Sequence, residues 1–454
     1  MRAAPPDLPG AQSRGVDSPL DRALALLLAG EREAALRWSA AVVQQDASVP
    51  SALILTCRLL ADAGRTEAAI EGFELGVKRA IDTGNLPLAV AALGDLRSLG
   101  VDVSALLDEI AAAFCAGSPR LAEDAAPPPP PLPHDARFEP LSSFLTGPAL
   151  LSKATAIIHD ASLVYDSVSD SEAPLVSPLP LFSALEKDGL RALIGCFEMF
   201  TVPAGSAVVS EGDEGAEAYI VARGELEVQR TTEDGSVVTL ARLQNGALFG
   251  EMALLSRAPR AASVIACRPS ILLVARRDAL EQVAETRPDV GIELAAHCRR
   301  RMVANLVRMS KVLLAVPPQE RLALVERFET CVFEKGEKII EEGKEATGLH
   351  LIASGEVAII GHEEGGESFV IAALPVGEMV GEVALVLRRK ANADVVAVHP
   401  TVTLFLPRED FLGLVREHPA ILAGLYLAAV DRDEETSSVL AGTSMLVNED
   451  FVLL

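Results

Sequence analysis

The sequence predicts a multidomain chain: an N-terminal all-α helical repeat, then two successive copies of one β-barrel domain with flanking α-helices. Three observations carry this. Residues 19–117 are rich in Ala and Leu, with helical periodicity and glycine breaks. From about residue 180 the texture changes to short β-like runs punctuated by glycine. Those punctuation marks then repeat. Gly205, Gly212, Gly224, Gly246, Gly250 and Glu251 recur as Gly336, Gly343, Gly355, Gly377, Gly381 and Glu382, each 131 residues on. Val264, Ala266 and Pro269 recur at the same offset as Val395, Ala397 and Pro400. Glycines kept in step mean the same turns in the same order. A length of 454 residues accommodates two to four such domains.

Residues 1–18 are Pro- and Ser-rich and are expected to be disordered. Within 19–117, Gly30-Glu-Arg-Glu-Ala-Ala-Leu recurs as Gly64-Arg-Thr-Glu-Ala-Ala-Ile, a spacing of 34 residues. In each copy a glycine turn precedes a helix whose paired alanines let a neighbouring helix approach. The period resembles that of tetratricopeptide helix pairs. Residues 84–117 would be an irregular third pair, and a generic helical bundle is the alternative. The tetratricopeptide resemblance implies a surface for docking a protein partner or for homo-oligomerisation. Residues 118–140 form a linker around Pro127–Pro131, an extended polyproline spacer. Residues 141–179 hold an isolated amphipathic helix over 141–165, with Leu141, Phe144, Leu145, Leu150, Leu151, Ile157 and Ile158 for one face. A second Ser/Asp/Pro-rich spacer follows it. The first barrel spans 180–310, with strands over 218–221, 226–228, 237–243, 262–266 and 271–274 and a helix from Asp278. A longer helix after Pro288 runs through Ile292, Leu294, Met302, Leu306 and Met309. The second barrel spans 311–430, and 431–454 is an acidic tail.

The richest chemistry lies in residues 249–264, Phe-Gly-Glu-Met-Ala-Leu-Leu-Ser-Arg-Ala-Pro-Arg-Ala-Ala-Ser-Val. Gly250 lets the backbone come close to a ligand, and the turn from Glu251 through Met252 and Ala253 points amides outward as an anion seat. The Glu251 carboxylate accepts from a sugar hydroxyl, and Arg260 offers a forked cation suited to phosphate oxygens. Small residues at Ala261, Ala262 and Ser263 let backbone amides reach the same oxygens. Gap-free, the stretch resembles the phosphate-binding cassette of the cyclic nucleotide-binding domain family. The resemblance implies an eight-strand roll, a double-stranded β-helix of jelly-roll type closed by C-terminal helices. It implies further that Glu251 takes the ribose 2′-hydroxyl and Arg260 the cyclic phosphate. A small residue after that arginine, Ala261 here, accompanies cAMP in the family, where threonine accompanies cGMP. Met302, Leu306 and Met309 are candidates for an apolar lid over the base.

The second cassette departs from the first. At the 131-residue offset Gly381 and Glu382 persist, but Arg260 becomes Ala391, Ala261 becomes Asn392 and Ser263 becomes Asp394. Losing one partner of a buried ion pair costs roughly 2–5 kcal/mol. Asp394 is expected to add repulsion toward a phosphate. Arg388, Arg389 and Lys390 just upstream read as a solvated basic turn. The second domain is therefore expected to fold but to be degenerate as a nucleotide site.

A formal charge of −24 argues against a nucleic-acid-binding surface. Six scattered cysteines without a C-x-x-C pair suit a reduced cytosol, and the seven histidines show no metal-ligand spacing. No apolar run reaches the about 20 residues that span a bilayer, and the N-terminus lacks a signal-peptide core. No P-loop, kinase signature or nucleophile elbow appears, so no enzyme or cofactor is expected. The tail after the second copy is too short for a helix-turn-helix. The nearest layout is that of kinase regulatory subunits, although no Arg-Arg-x-Ser pseudosubstrate precedes the first barrel. The sequence thus points to a cytoplasmic, non-enzymatic receptor for cAMP, or for cGMP. The alternative is a scaffold whose two barrels are ligand-silent.

Overall fold

A computed structural model describes residues 18–417 apart from 134–135, 137, 169–172, 233–234, 256–258, 311–312, 314–316 and 363–367, and nine positions between 419 and 434. Residues 1–17 of the stretch expected to be disordered, and the acidic tail from 435 on, lie outside the described residues. The chain divides into two compact units. One comprises residues 1–211, 217–251 and 262–294; the other comprises 212–216, 252–261 and 295–454.

In the first unit, helices α1 (Pro19–Leu28), α2 (Arg32–Gln45), α3 (Pro50–Asp62), α4 (Thr66–Asp82), α5 (Leu86–Ser98) and α6 (Ser104–Phe114) pack each against the next. Ser18 caps α1 and Asn85 caps α5 through side-chain oxygens that accept backbone amides, and prolines open α1, α3 and α5. The 34-residue step is visible as Arg32 and Thr66 opening α2 and α4. Helix α7 (Gly147–Val168) differs from expectation. It is not isolated but packs on α2, α3 and α4, burying Leu150, Ile157 and Ile158. The reason is a gap at Gly72 of α4, where an added Cβ would stand 2.8 Å from Ile158. Phe144, assigned above to the apolar face, precedes the helix and is 93% exposed.

A short helix, α8 (Lys187–Ile194), leads into the first barrel of the same unit. Its strands are β1 (Phe197–Val202), β2 (Ala207–Val209), β3 (Glu217–Arg223), β4 (Leu226–Thr231), β5 (Val237–Leu243), β6 (Leu248–Phe249), β7 (Ser263–Ala266) and β8 (Ser270–Arg276). They form two antiparallel four-stranded sheets, ordered β1-β8-β3-β6 and β2-β7-β4-β5. Val202, Val209, Val221, Leu226, Phe249, Val264 and Leu272 fill the space between them. Helix α10 (Arg277–Thr286) follows, then α11 (Pro288–Met309).

The helical module is fastened to this barrel by buried charge. Asp21 of α1 accepts from Arg223 Nη2 at 2.5 Å and from Arg268 Nε at 2.8 Å, and each of the three side chains is at most 5% exposed. Burial pushes the Asp21 carboxyl up, yet the two guanidiniums outweigh it and hold it below its ordinary value. Asn85 Nδ2 donates to the Ala222 carbonyl at 3.2 Å beside this cluster.

The second unit contains the second barrel. Strands β9 (Glu329–Phe333), β10 (Lys338–Ile340), β11 (Gly348–Ser354), β12 (Val357–His362), β13 (Ser368–Leu374), β14 (Met379–Val380), β15 (Asp394–Ala397) and β16 (Thr401–Pro407) repeat the first topology as β14-β11-β16-β9 and β10-β15-β12-β13. Even the irregularity is copied. The register slips between Ala207 and Val209 of β2 and again between Lys338 and Ile340 of β10. All ten repeat glycines have φ between 75° and 139°. At Gly224 and Gly355 room matters as well, since an added Cβ would strike Ser270 and, at 2.6 Å, Thr401 Oγ1. Met302, Leu306, Phe328, Leu351, Leu404 and Phe411 are among the side chains of this unit's core.

Candidate functional site

In the first cassette, β6 ends at Phe249, Gly250 turns with φ 75°, and Glu251 is 3% exposed. Met252 and Ala253 start a helical turn, α9 (Met252–Leu255); residues 256–258 lie outside the described residues. Arg260 is held at both ends of its peptide by the loop after β2. Its N–H donates to the Asp213 carbonyl, and its carbonyl accepts from the Gly212 N–H, each at 2.8 Å. Its guanidinium lies over Gly215, where an added Cβ would stand 2.5 Å from Cζ. Gly215 does not have a positive φ, so glycine provides room for the arginine there rather than a turn. Ala261 is exposed, Ala262 is half-buried, and the Ser263 hydroxyl accepts from the Glu211 N–H at 2.9 Å.

The second cassette keeps the backbone frame and changes the side chains. Gly343 N–H donates to the Ala391 carbonyl and Ala391 N–H to the Lys344 carbonyl, each at 2.9 Å. These are the two bonds that hold Arg260 in the first copy. No guanidinium leaves position 391, and Gly215 is matched by Ala346, buried in the core. The Asp394 carboxylate takes the place of the Ser263 hydroxyl, accepting from the Glu342 N–H at 2.7 Å. It also meets His362 Nε2 at 2.8 Å and Lys338 Nζ at 2.6 Å. Burial raises the Asp394 carboxyl, but Lys338, the Glu342 amide and His362 outweigh it and hold it at about 2. This corrects the expectation of a bare charge repelling phosphate: Asp394 is 3% exposed and engaged by Lys338, His362 and the Glu342 amide.

Glu382 is 2% exposed, and burial raises its carboxyl above the ordinary value. Its Oε1 accepts from Arg432 Nη1 at 2.5 Å, while Oε2 has no partner among the described residues. A cavity of about 40 Å³ remains between Ile340, Val380, Glu382, Ala391, Asn392 and Arg432.

A family model described as the cyclic nucleotide-binding domain matches residues 199–287 and again residues 330–418. The chain carries two cyclic nucleotide-binding domains in tandem. It is 30% identical over 241 residues to a cAMP-dependent protein kinase regulatory subunit of Yarrowia lipolytica, covering 52% of this chain and 60% of that one. A regulatory subunit of Hypocrea atroviridis is 31% identical over 243 residues, at 52% and 50% coverage. The chain therefore spans only half to three-fifths of these curated relatives. Among solved structures, the regulatory domain of Toxoplasma gondii PKA with cAMP aligns at 25% identity, over 55% of this chain and 92% of that one, with a TM-score of 0.28. The regulatory subunit of a cAMP-independent protein kinase A from Trypanosoma cruzi, bound to guanosine, aligns at 23% identity over 59% and 90%, with a TM-score of 0.29.

Sequence reasoning gave some residues of the two cyclic nucleotide-binding domains another place than the structure does, and missed others. Met302 and Leu306, the lid candidates after the first domain, are each 1% exposed within the core of the second unit, with Met252 against that core. The Met309 side chain lies outside the described residues. Lys338 and His362 were missed, although a Ser-to-Asp exchange at a buried strand end signals hydrogen-bond donors nearby. Arg432 was missed too, although the repeat does extend that far: Pro288, Leu294 and Arg301 recur as Pro419, Leu425 and Arg432. Among the described residues no group of three or more His, Cys, Asp or Glu side chains is placed to hold a metal. No helix among them is long and apolar enough to cross a membrane.

Proposed function

We propose that the first cyclic nucleotide-binding domain is a working receptor site, for cAMP in preference to cGMP, and that the second is silent toward cyclic nucleotides. Glu251 would accept from the ribose 2′-hydroxyl. Arg260 would pair with the cyclic phosphate while amides of Met252, Ala253, Ala261, Ala262 and Ser263 reach the same oxygens. The observation that carries this reading is the split between copies. The same loop-to-cassette hydrogen bonds frame both, and only the first retains the arginine, with a glycine that gives its guanidinium room. The named relatives are regulatory subunits of cAMP-dependent kinases, which supports a non-enzymatic, cytoplasmic regulator whose partner is a protein kinase. The helical module would be its tetratricopeptide-like docking or dimerisation element.

Calorimetry of the full chain with cAMP and with cGMP tests the site. Micromolar or tighter binding of cAMP is expected, weakened roughly a hundredfold or more by Arg260→Ala. Absence of heat with either nucleotide would sink the receptor reading and leave the ligand-silent scaffold.

A further inference from the structure

We infer that the second cassette is closed in cis by Arg432 and Asp433, which follow its barrel and stand against the residues that would line a ligand site. Four positions differ between the copies and meet at one place. Ala247, Ala258, Ala261 and Met302 of the first copy become Glu378, Arg389, Asn392 and Asp433 in the second. Glu378 accepts from Arg432 Nη2 at 3.0 Å. Asn392 Nδ2 donates to Asp433 Oδ1 at 3.0 Å, and Arg389 pairs with the same carboxylate. Arg432 also binds Glu382 and the Met379 carbonyl, so its fork spans the acidic side of the cassette.

The chemistry is complementary along the pair. Arg432 faces two carboxylates, Glu378 and Glu382, while Asp433 faces a guanidinium and an amide. The apolar side of the same segment completes the seal, with Leu425 at 1% and Ala429 at 0% exposure. Position 433 corresponds to Met302, which lies in an apolar core, so an apolar position has become part of a polar clasp. Arg389, which the sequence suggested was part of a solvated turn, belongs to that clasp. The exchange of Arg260 for Ala391 and the gain of three polar contacts are thus two halves of one change. Gaining a closure that needs no ligand accompanies losing the residue that would bind one.

The test is amide hydrogen exchange on the ligand-free full chain, which does not depend on what the first cassette binds. Residues 425–434 and 380–393 should be protected in the wild type. Asp433→Arg should speed exchange in both segments roughly tenfold, as expected when one or two such contacts are lost, without change in β3 or β8. Adding Arg389→Asp to that variant should recover the protection, because the swapped pair rebuilds the clasp. Full exchange of 425–434 in the wild type would overturn the inference. So would a swapped variant no better protected than the single one.

Discussion

Asp394 and Arg260 show how a single side chain decides what a shared backbone does. Both stand in cassettes framed by the same loop hydrogen bonds, yet Arg260 keeps a guanidinium over Gly215 while Asp394 spends its charge on Lys338 and His362. Asp394 consequently works for stability. Its folded carboxyl sits at about 2 against an ordinary 3.8, so the ionised form is favoured by folding. The stabilisation, about 2 kcal/mol, is present above pH 4 and fades as pH falls through 4 to 2. Asp394→Asn should therefore lower the denaturant midpoint of the second barrel at pH 7, and the gap to wild type should close near pH 2. A gap that persists unchanged at pH 2 would mean that the lost contact is not ionic.

At the scale of elements, the attachment of α1 to the first barrel rests on Asp21, Arg223 and Arg268. Removing the one carboxylate strands two buried guanidiniums. Asp21→Ala should cost about 3–5 kcal/mol in denaturant unfolding, and replacing Arg223 and Arg268 by apolar residues in that background should restore part of it. This cluster was invisible in the sequence, because Asp21 lies 202 residues from Arg223 and 247 from Arg268. Local periodicity carries no information at that distance. The docking of α7 was hidden for a related reason: an amphipathic face announces burial but not which groove receives it. What could be read were features with a local cause. Glycines at positive φ marked the turns, alternation marked the strands, and constant spacing marked the duplication. The cassette was legible because Gly250, Glu251 and Arg260 are close in sequence. Its second copy was legible as a loss, at Ala391, but not as the gain at Asp433, which only the folded unit brings to Arg389 and Asn392.

For the molecule as a whole, a receptor with one working site should respond to its ligand unevenly. At a free cAMP concentration about 100 times the Kd, binding adds about 2.7 kcal/mol to the stability of the element that binds. Amides of β3 and β8 that exchange by unfolding should slow about a hundredfold, while those of β11 and β16 keep their rates. Slowing in both barrels would show that the second site binds as well. The copied bulge in β2 and β10 has a separate consequence, for how the chain finds its fold. One polypeptide carries two interchangeable sets of strand addresses, so β4 can recognise β15 as readily as β7. The shorter loop favours the correct partner by only about 1 kcal/mol, because closure entropy grows with the logarithm of length. Asp394 supplies the missing discrimination. If β15 took the place of β7, its carboxylate would be buried beside Ala207 and Thr231, the counterparts of Lys338 and His362. An uncompensated buried charge is costly enough to reject the exchange, so the aspartate that stands where the first copy has Ser263 also guards the chain against swapping its own strands.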